Sequence, residues 1–305
     1  MYNGEYKLGL MSGYGYYKYA NGSLYEGEFL MNMKHGYGIY KYASGALYEG
    51  QWRNNKQDGQ GKYTYASGDI YTGEYKNGMM HGSGHYKYKS GNSYEGEFQF
   101  GKQHGAGIFT HASGSVYNGQ FKEGLMHGPG CYTYNNGDTY DGMHTNDLIE
   151  GYGVYRFASG DVYTGNFLNE LKHGAGLYKY ANGEVYDGQY YQGKRHGKGT
   201  YKYLNGSSYV GEYADDVPHG HGVFRFENGE VYEGMYANGK RNGKGIYKYN
   251  SGAVYEGNWV DGKIEGYGCY NYSNGSTYKG FFHNDMKHGK GNFQYYTGKE
   301  CILVI

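Results

Sequence analysis

The run Tyr25-Glu26-Gly27-Glu28-Phe29, followed by His35-Gly36-Tyr37-Gly38-Ile39-Tyr40-Lys41-Tyr42 and then Ser44-Gly45, decides how this chain folds. Rings and glycines fall on every second residue in both halves, and an apolar alternation of period two marks an extended strand. Asn32 between the halves and Ser44-Gly45 after them are turn signals, so the stretch reads as a β-hairpin. No helical periodicity competes with it.

The hairpin recurs. Tyr-x-Gly returns every 23 residues from Tyr2, Tyr25 and Tyr48 to Tyr278, giving thirteen copies over residues 2–300 without insertion or deletion, the mark of a repeat architecture. With that tyrosine as position 0, glycine holds positions 2, 11, 13 and 20 in every copy. Aromatic rings hold positions 0, 4, 15 and 17 except at His144 and His111. These columns predict an all-β, single-layer twisted antiparallel β-meander of about 26 strands. Residues 2–300 are expected to form one elongated domain, with 301–305 as a partial terminal capping strand. Parity places positions 0, 2 and 4 on one face with 11, 13, 15 and 17 if the loop near position 7 is even and the Asn/Ser-Gly loop odd. The other face then carries a basic column at position 16, with Lys18, Lys41 and Lys87, expected to pair with carboxylates at positions 1 and 3 such as Glu26, Glu28 and Glu49.

Composition agrees. Of 305 residues 59 are Gly and 45 Tyr, whereas Leu, Ile, Val and Phe together number 43, too few for a conventional two-layer core. A disordered chain would lack the 19% aromatic content and would carry net charge, which here is zero. That neutrality argues against a nucleic-acid partner. No apolar run approaches the ~18 residues of a membrane span, and Met1 leads directly into the first repeat, so a cytosolic location is expected. Cys131 and Cys269 lie six repeats apart, too far for a disulfide at about 10 Å per repeat, and this fits a reducing compartment. Cys301, Leu303 and Ile305 form the alternating face of a truncated last strand, a cap or a sticky edge.

Three patterns resemble sites and carry no chemistry. Eight histidines, including His35, His81 and His104, share position 10. Successive copies are about 10 Å apart, whereas zinc ligands converge within about 2.1 Å of one ion. Gly-x-Gly occurs in every repeat without the following helix that a phosphate loop requires. Carboxylates at positions 1 and 3 alternate with lysines and read as structural charge. No nucleophile, base and orienting group converge, so the chain reads as non-enzymatic, with no catalytic residue, metal or cofactor. Departures from the template gather between Pro129 and Glu150, where a local bend or weak point is expected because proline removes a ladder donor.

Tyr-Glu-Gly-Glu-Phe, His-Gly-Tyr-Gly-Ile-Tyr and the following Ser-Gly over residues 25–45 resemble the MORN repeat, and the likeness spans the thirteen copies. It implies a twisted sheet serving as an interaction scaffold. Members built almost wholly of such repeats include ciliary radial-spoke-head and cortical cytoskeletal proteins, so several protein partners in a cilium, an axoneme or another microtubule-based structure are expected. Trp52 and Trp259 stand out as anchors, with Tyr25, Phe29, Tyr48, Tyr75 and Phe98 around the first, because exposed aromatics dominate binding hot spots. Unpaired edge strands invite end-to-end dimerisation. The alternative is a membrane-associated tether that lays its Lys/Arg column on anionic phospholipid.

Overall fold

The computed structural model describes residues 1–304. It is all-β, with 27 antiparallel strands in a single-layer meander and no helix among the described residues. The strands are numbered in chain order from β1 (Tyr2–Lys7) to β27 (Glu300–Val304). The extra strand is the terminal one, which pairs with β26 (Met286–Gln294) from Gln294↔Glu300 to Lys290↔Val304. The chain divides into two compact units, Met1–Glu150 and Gly151–Ile305.

One repeat explains each unit. β3 (Leu24–Leu30) and β4 (Met33–Lys41) are joined by Met31 and Asn32, both left-handed at φ 50° and 67°, the two-residue turn whose twist matches that of its strands. Five residues then lead from Lys41 to β5 (Leu47–Arg53), closed by Tyr42 N–H donating to the Ala46 carbonyl at 2.9 Å. The first loop is even and the second odd. Positions 0, 4, 13, 15 and 17 accordingly share a face, where Tyr25, Phe29, Tyr48 and Trp52 are buried with Tyr40 and Tyr42 packed against them.

Two features differ from the expected pattern. The second strand of each repeat begins at position 8, not at the Gly-x-Gly run, so position 9 also points to the aromatic face. Phe29 pairs directly with Lys34, and Trp259 with Ile264. The register then slips, because Gly27 opposes Gly38 while Phe29 opposes Lys34. The two extra residues form a β-bulge whose glycine is left-handed, φ 59° at Gly36. The carboxylate of Glu28 fills that bulge and accepts the Tyr37 N–H at 2.9 Å, as Glu5, Gln51, Glu74, Glu97 and Gln189 do in their own repeats.

That bulge bond corrects two expectations. Position-3 carboxylates serve it, and no ion pair among the described residues joins them to the position-16 column. The ion pairs instead include Lys102–Glu123 at 2.8 Å and Lys194–Asp215 at 3.1 Å, between turns of consecutive repeats. Pro129 occupies the place of Tyr37, where the N–H would serve the side-chain bond. The register from Gly128↔His144 through Pro129↔Met143 to Thr133↔Thr139 is uninterrupted, so no bend arises there. Pro218 follows the same logic at position 9, whose N–H elsewhere donates to a turn side chain of the next repeat, as Lys34 does to Asn55 and Arg195 to Asp216. Opposite Pro218 that turn residue is Gly239, which offers no acceptor side chain.

Position 0 locks the design. Its ring lies flat over the glycine pair, and its hydroxyl donates to the backbone carbonyl three residues on, Tyr25 to Glu28 and Tyr48 to Gln51, both at 2.9 Å. A Cβ built on Gly38 would lie 2.3 Å from the Tyr25 hydroxyl, and one on Gly27 would lie 2.4 Å from the Cα of Gly38. Gly38→Ala should therefore destabilise its unit by about 1–3 kcal/mol through overpacking. Gly78→Asn is the control, since Gly78 has open space and Asn32 and Asn55 hold the same turn position left-handed. Urea unfolding followed by circular dichroism should separate the two variants.

Candidate protein-binding surface

The aromatic face is built in two tiers. Rings at positions 0 and 4 form the floor, each position-4 ring standing edge-on between two lead tyrosines. Trp52 lies 5.5 Å from Tyr25 and 5.1 Å from Tyr48, at interplanar angles of 83° and 85°, the edge-to-face geometry that ring quadrupoles favour. All seven rings singled out from the sequence belong to this floor. Tyr25 and Tyr48 are 0% exposed, Trp259 3%, Phe29, Trp52 and Phe98 4%, and Tyr75 6%. Their area is spent on the glycine backbone and on one another. The Trp52 indole N–H donates to the Gly38 carbonyl at 3.1 Å, whereas that of Trp259 is buried without a partner.

The second tier is half-exposed and is what a partner would touch. Positions 15 and 17 form a zigzag of tilted rings. In the first unit Tyr17, Tyr19, Tyr40, Tyr42 and Tyr63 follow at centroid distances of 4.6, 5.5, 4.4 and 5.6 Å. In the second, Tyr247, Tyr249, Tyr270, Tyr272 and Phe293 follow at 4.6, 5.6, 4.6 and 5.7 Å. Carboxylates at the loop edge hold some of these rings, with the Tyr178 hydroxyl donating to Asp161 at 2.8 Å and Tyr201 to Glu184 at 2.7 Å.

Position 9 closes the other side of the rail and was missed in the sequence. Where it is basic, the cation rests on three rings. Lys34 Nζ lies 4.0 Å from the Trp52 ring and 4.3 Å from that of Tyr40, and burial pushes its pKa down to about 8. Lys172, Arg195, Arg241 and Lys287 repeat the arrangement in the second unit. The column varies between Met, Lys, Gln, Ile, Pro and Arg, so no composition signal marked it. Only the early strand start could have done so.

The polar face is different. Lys18, Lys41 and Lys87 of the basic column are exposed, and no His, Cys, Asp and Glu group suited to a metal occurs among the described residues. At the terminal edge Cys301 and Leu303 are half-buried, whereas Ile302 and Val304 are 80% and 74% exposed. Ile305, the third residue expected there, lies outside the described residues.

A family model for the MORN repeat matches thirteen consecutive segments, from residues 2–24 to 278–300. The chain belongs to the MORN-repeat family. MORN repeats are non-enzymatic scaffold modules that bind proteins or membranes, which accords with two faces open along the sheet. No curated protein matches this sequence. Among solved structures, the chain is 10% identical to the TCP10 domain of Danio rerio CPAP in complex with a peptide of STIL, at a TM-score of 0.38 over 72% of this chain and 97% of that one. The same domain without the peptide gives 12% identity and 0.39 over 65% and 93%. Virginiamycin B lyase from Staphylococcus aureus gives 10% and 0.15 over 85% and 89%. Similarities at this level carry no argument about the MORN chain.

One floor position departs from the MORN pattern in a testable way. His144 takes the place of the position-4 ring, 4.9 Å from Tyr117 and 5.2 Å from Tyr140, and is 2% exposed. Neither ring nitrogen has a hydrogen-bond partner, and burial holds its pKa below the ordinary histidine value despite nearby Asp147. The folded state thus resists a proton that the unfolded chain accepts, so stability falls as pH drops through about 6.5. His144→Phe should raise stability by about 1–3 kcal/mol, the cost of a buried unpaired polar group. It should also flatten the loss between pH 7 and pH 5 in thermal melts.

Proposed function

We propose that this MORN chain is a protein-binding scaffold that offers its aromatic face to several partners within a microtubule-based assembly such as a ciliary axoneme. The observation that carries the binding reading is the second tier of rings. Half-exposed tyrosines held at spacings of 4.4 to 5.7 Å form a continuous apolar rail with hydroxyl tips, and tyrosine is the side chain that delivers contact area at low entropic cost. The buried floor makes the rail rigid, which lowers the cost of binding. Trp52, Trp259 and the tyrosines around them act as its foundation. The cytoskeletal location rests on the family resemblance.

A second reading, a tether on anionic lipid, is favoured by one observation. The position-16 bases Lys18, Lys41, Lys87, Arg156, Lys179, Lys202, Arg225 and Lys248 are all exposed, and no ion pair among the described residues engages them. Detergent extraction of expressing cells separates the two. Retention in the insoluble fraction with tubulin supports the scaffold, while release with a membrane marker replaces it by the tether. A photo-cross-linker at Tyr249, on the rail, should capture neighbours that one at Tyr267 does not, since Tyr267 is 55% exposed and lies across the sheet from the rail, beside Phe281.

A further inference from the structure

The aromatic face of Gly151–Ile305 carries a charge pattern that the first unit lacks. Its position-9 column holds Lys172, Arg195, Arg241 and Lys287, whereas the same column in Met1–Glu150 holds Lys34 among Met11, Gln57, Met80, Gln103, Met126 and Ile149. Only Arg195 has an ion-pair partner among the described residues, Asp216 at 3.4 Å. Near the end of the column lies a trough of about 810 Å³, floored by Trp259 and Phe282, walled by Tyr249 and Tyr272, and flanked by Arg241 and Lys287 with Ile264 between them.

The spacing of that trough selects its occupant. Strands lie about 4.8 Å apart, so one repeat advances about 9.6 Å across the sheet. One heptad of α-helix advances about 10.5 Å and returns to the same helix face. An extended segment advances about 3.3 Å per residue, so a repeat spans about three residues and successive contacts fall on opposite sides of the backbone. A helix running across the strands therefore meets each repeat with the same face, whereas a strand does not. Over the two repeats from Arg241 to Lys287 the mismatch is about 2 Å, within reach of flexible cationic side chains.

We propose that the trough in the second unit binds an amphipathic, acidic α-helix laid across the strands at one heptad per repeat. Two carboxylates about fourteen residues apart meet Arg241 and Lys287, and an apolar residue midway packs over Ile264. Lys172 and Arg195 extend the same acidic preference toward β16 (Leu171–Lys179) and β18 (Lys194–Lys202). This inference rests on the aromatic face being the binding face and adds the shape, charge and register of the partner.

The test uses the full chain with Trp52→Phe, a ring that position 4 already accepts at Phe29, so that Trp259 becomes the sole indole. Three peptides of identical composition and about 21 residues serve as probes. One is an Ala/Leu helix with a leucine seam and two glutamates about fourteen residues apart, with its prolines confined to the termini. The second moves one glutamate to the opposite helix face, and the third moves the prolines to the centre to break the helix. The matched helix should shift Trp259 emission and bind at least about 10-fold more tightly than the others, and Arg241→Gln or Lys287→Gln should each weaken it about 3- to 10-fold while leaving the second peptide unchanged. Equal binding of the three peptides, no binding by the matched helix, or indifference to both substitutions would overturn the proposal. The photo-cross-linkers keep the two readings apart. Capture from Tyr249 without helix preference defeats the helix alone, and capture only from Tyr267 defeats the binding face with it.

Discussion

Each lead tyrosine lies over a pair of facing glycines, and the rest of the structure depends on that contact. Without Cβ atoms at Gly27 and Gly38 the Tyr25 ring reaches the bare backbone, and its hydroxyl closes onto the Glu28 carbonyl. The ring thereby does the work that a second layer does in an ordinary domain. It removes apolar area from water and gives position-4 rings an edge-on wall to pack against. A single-layer sheet with few aliphatic residues can exist because its core is built from rings on one face.

From that contact the remaining constraints follow in order. The glycine pair weakens the strand locally, and the bulge beside it is filled by a position-3 carboxylate or amide. The two-residue left-handed turns and the five-residue loops fix parity so that every repeat presents the same face. Turn side chains such as Asn55 and Asp216 reach back to the preceding repeat, so neighbours are stitched at their edges as well as through the ladder. Stability in such an array sums over repeats and interfaces. A local defect such as the unpartnered His144 is carried by its neighbours.

Function lies one tier above the core. Floor rings are too buried to meet a partner, and the polar face, whose carboxylates serve bulges, leaves its lysines free. Between these extremes the rail of positions 15 and 17 and the variable column at position 9 are rigid, half-exposed and different in each repeat. Uniform positions build the sheet, and the variable column on the aromatic face distinguishes one stretch of it from another. In the second unit that column is cationic over rings, where low exposure strengthens the pull on an acidic partner.

The period of 23 residues, the strand alternation and the turn signals around Asn32 and Ser44-Gly45 determined the repeat, the hairpin and the single-layer all-β class, because strand parity and turn chemistry are local properties that a sequence displays directly. The aromatic face was equally legible, since the rings fall in fixed columns. Tertiary structure alone decided which of those rings stay accessible, because burial depends on what neighbouring repeats lay over them. Trp52 and Trp259 read as anchors until Lys34 and Arg241 were seen to cover them. The bulge, the early strand start that turns position 9 toward the rings, and the exposed lysine column also emerged only in three dimensions. Each depends on how a strand registers against a partner about twenty residues away, and spacing along the chain does not encode that register once a bulge intervenes.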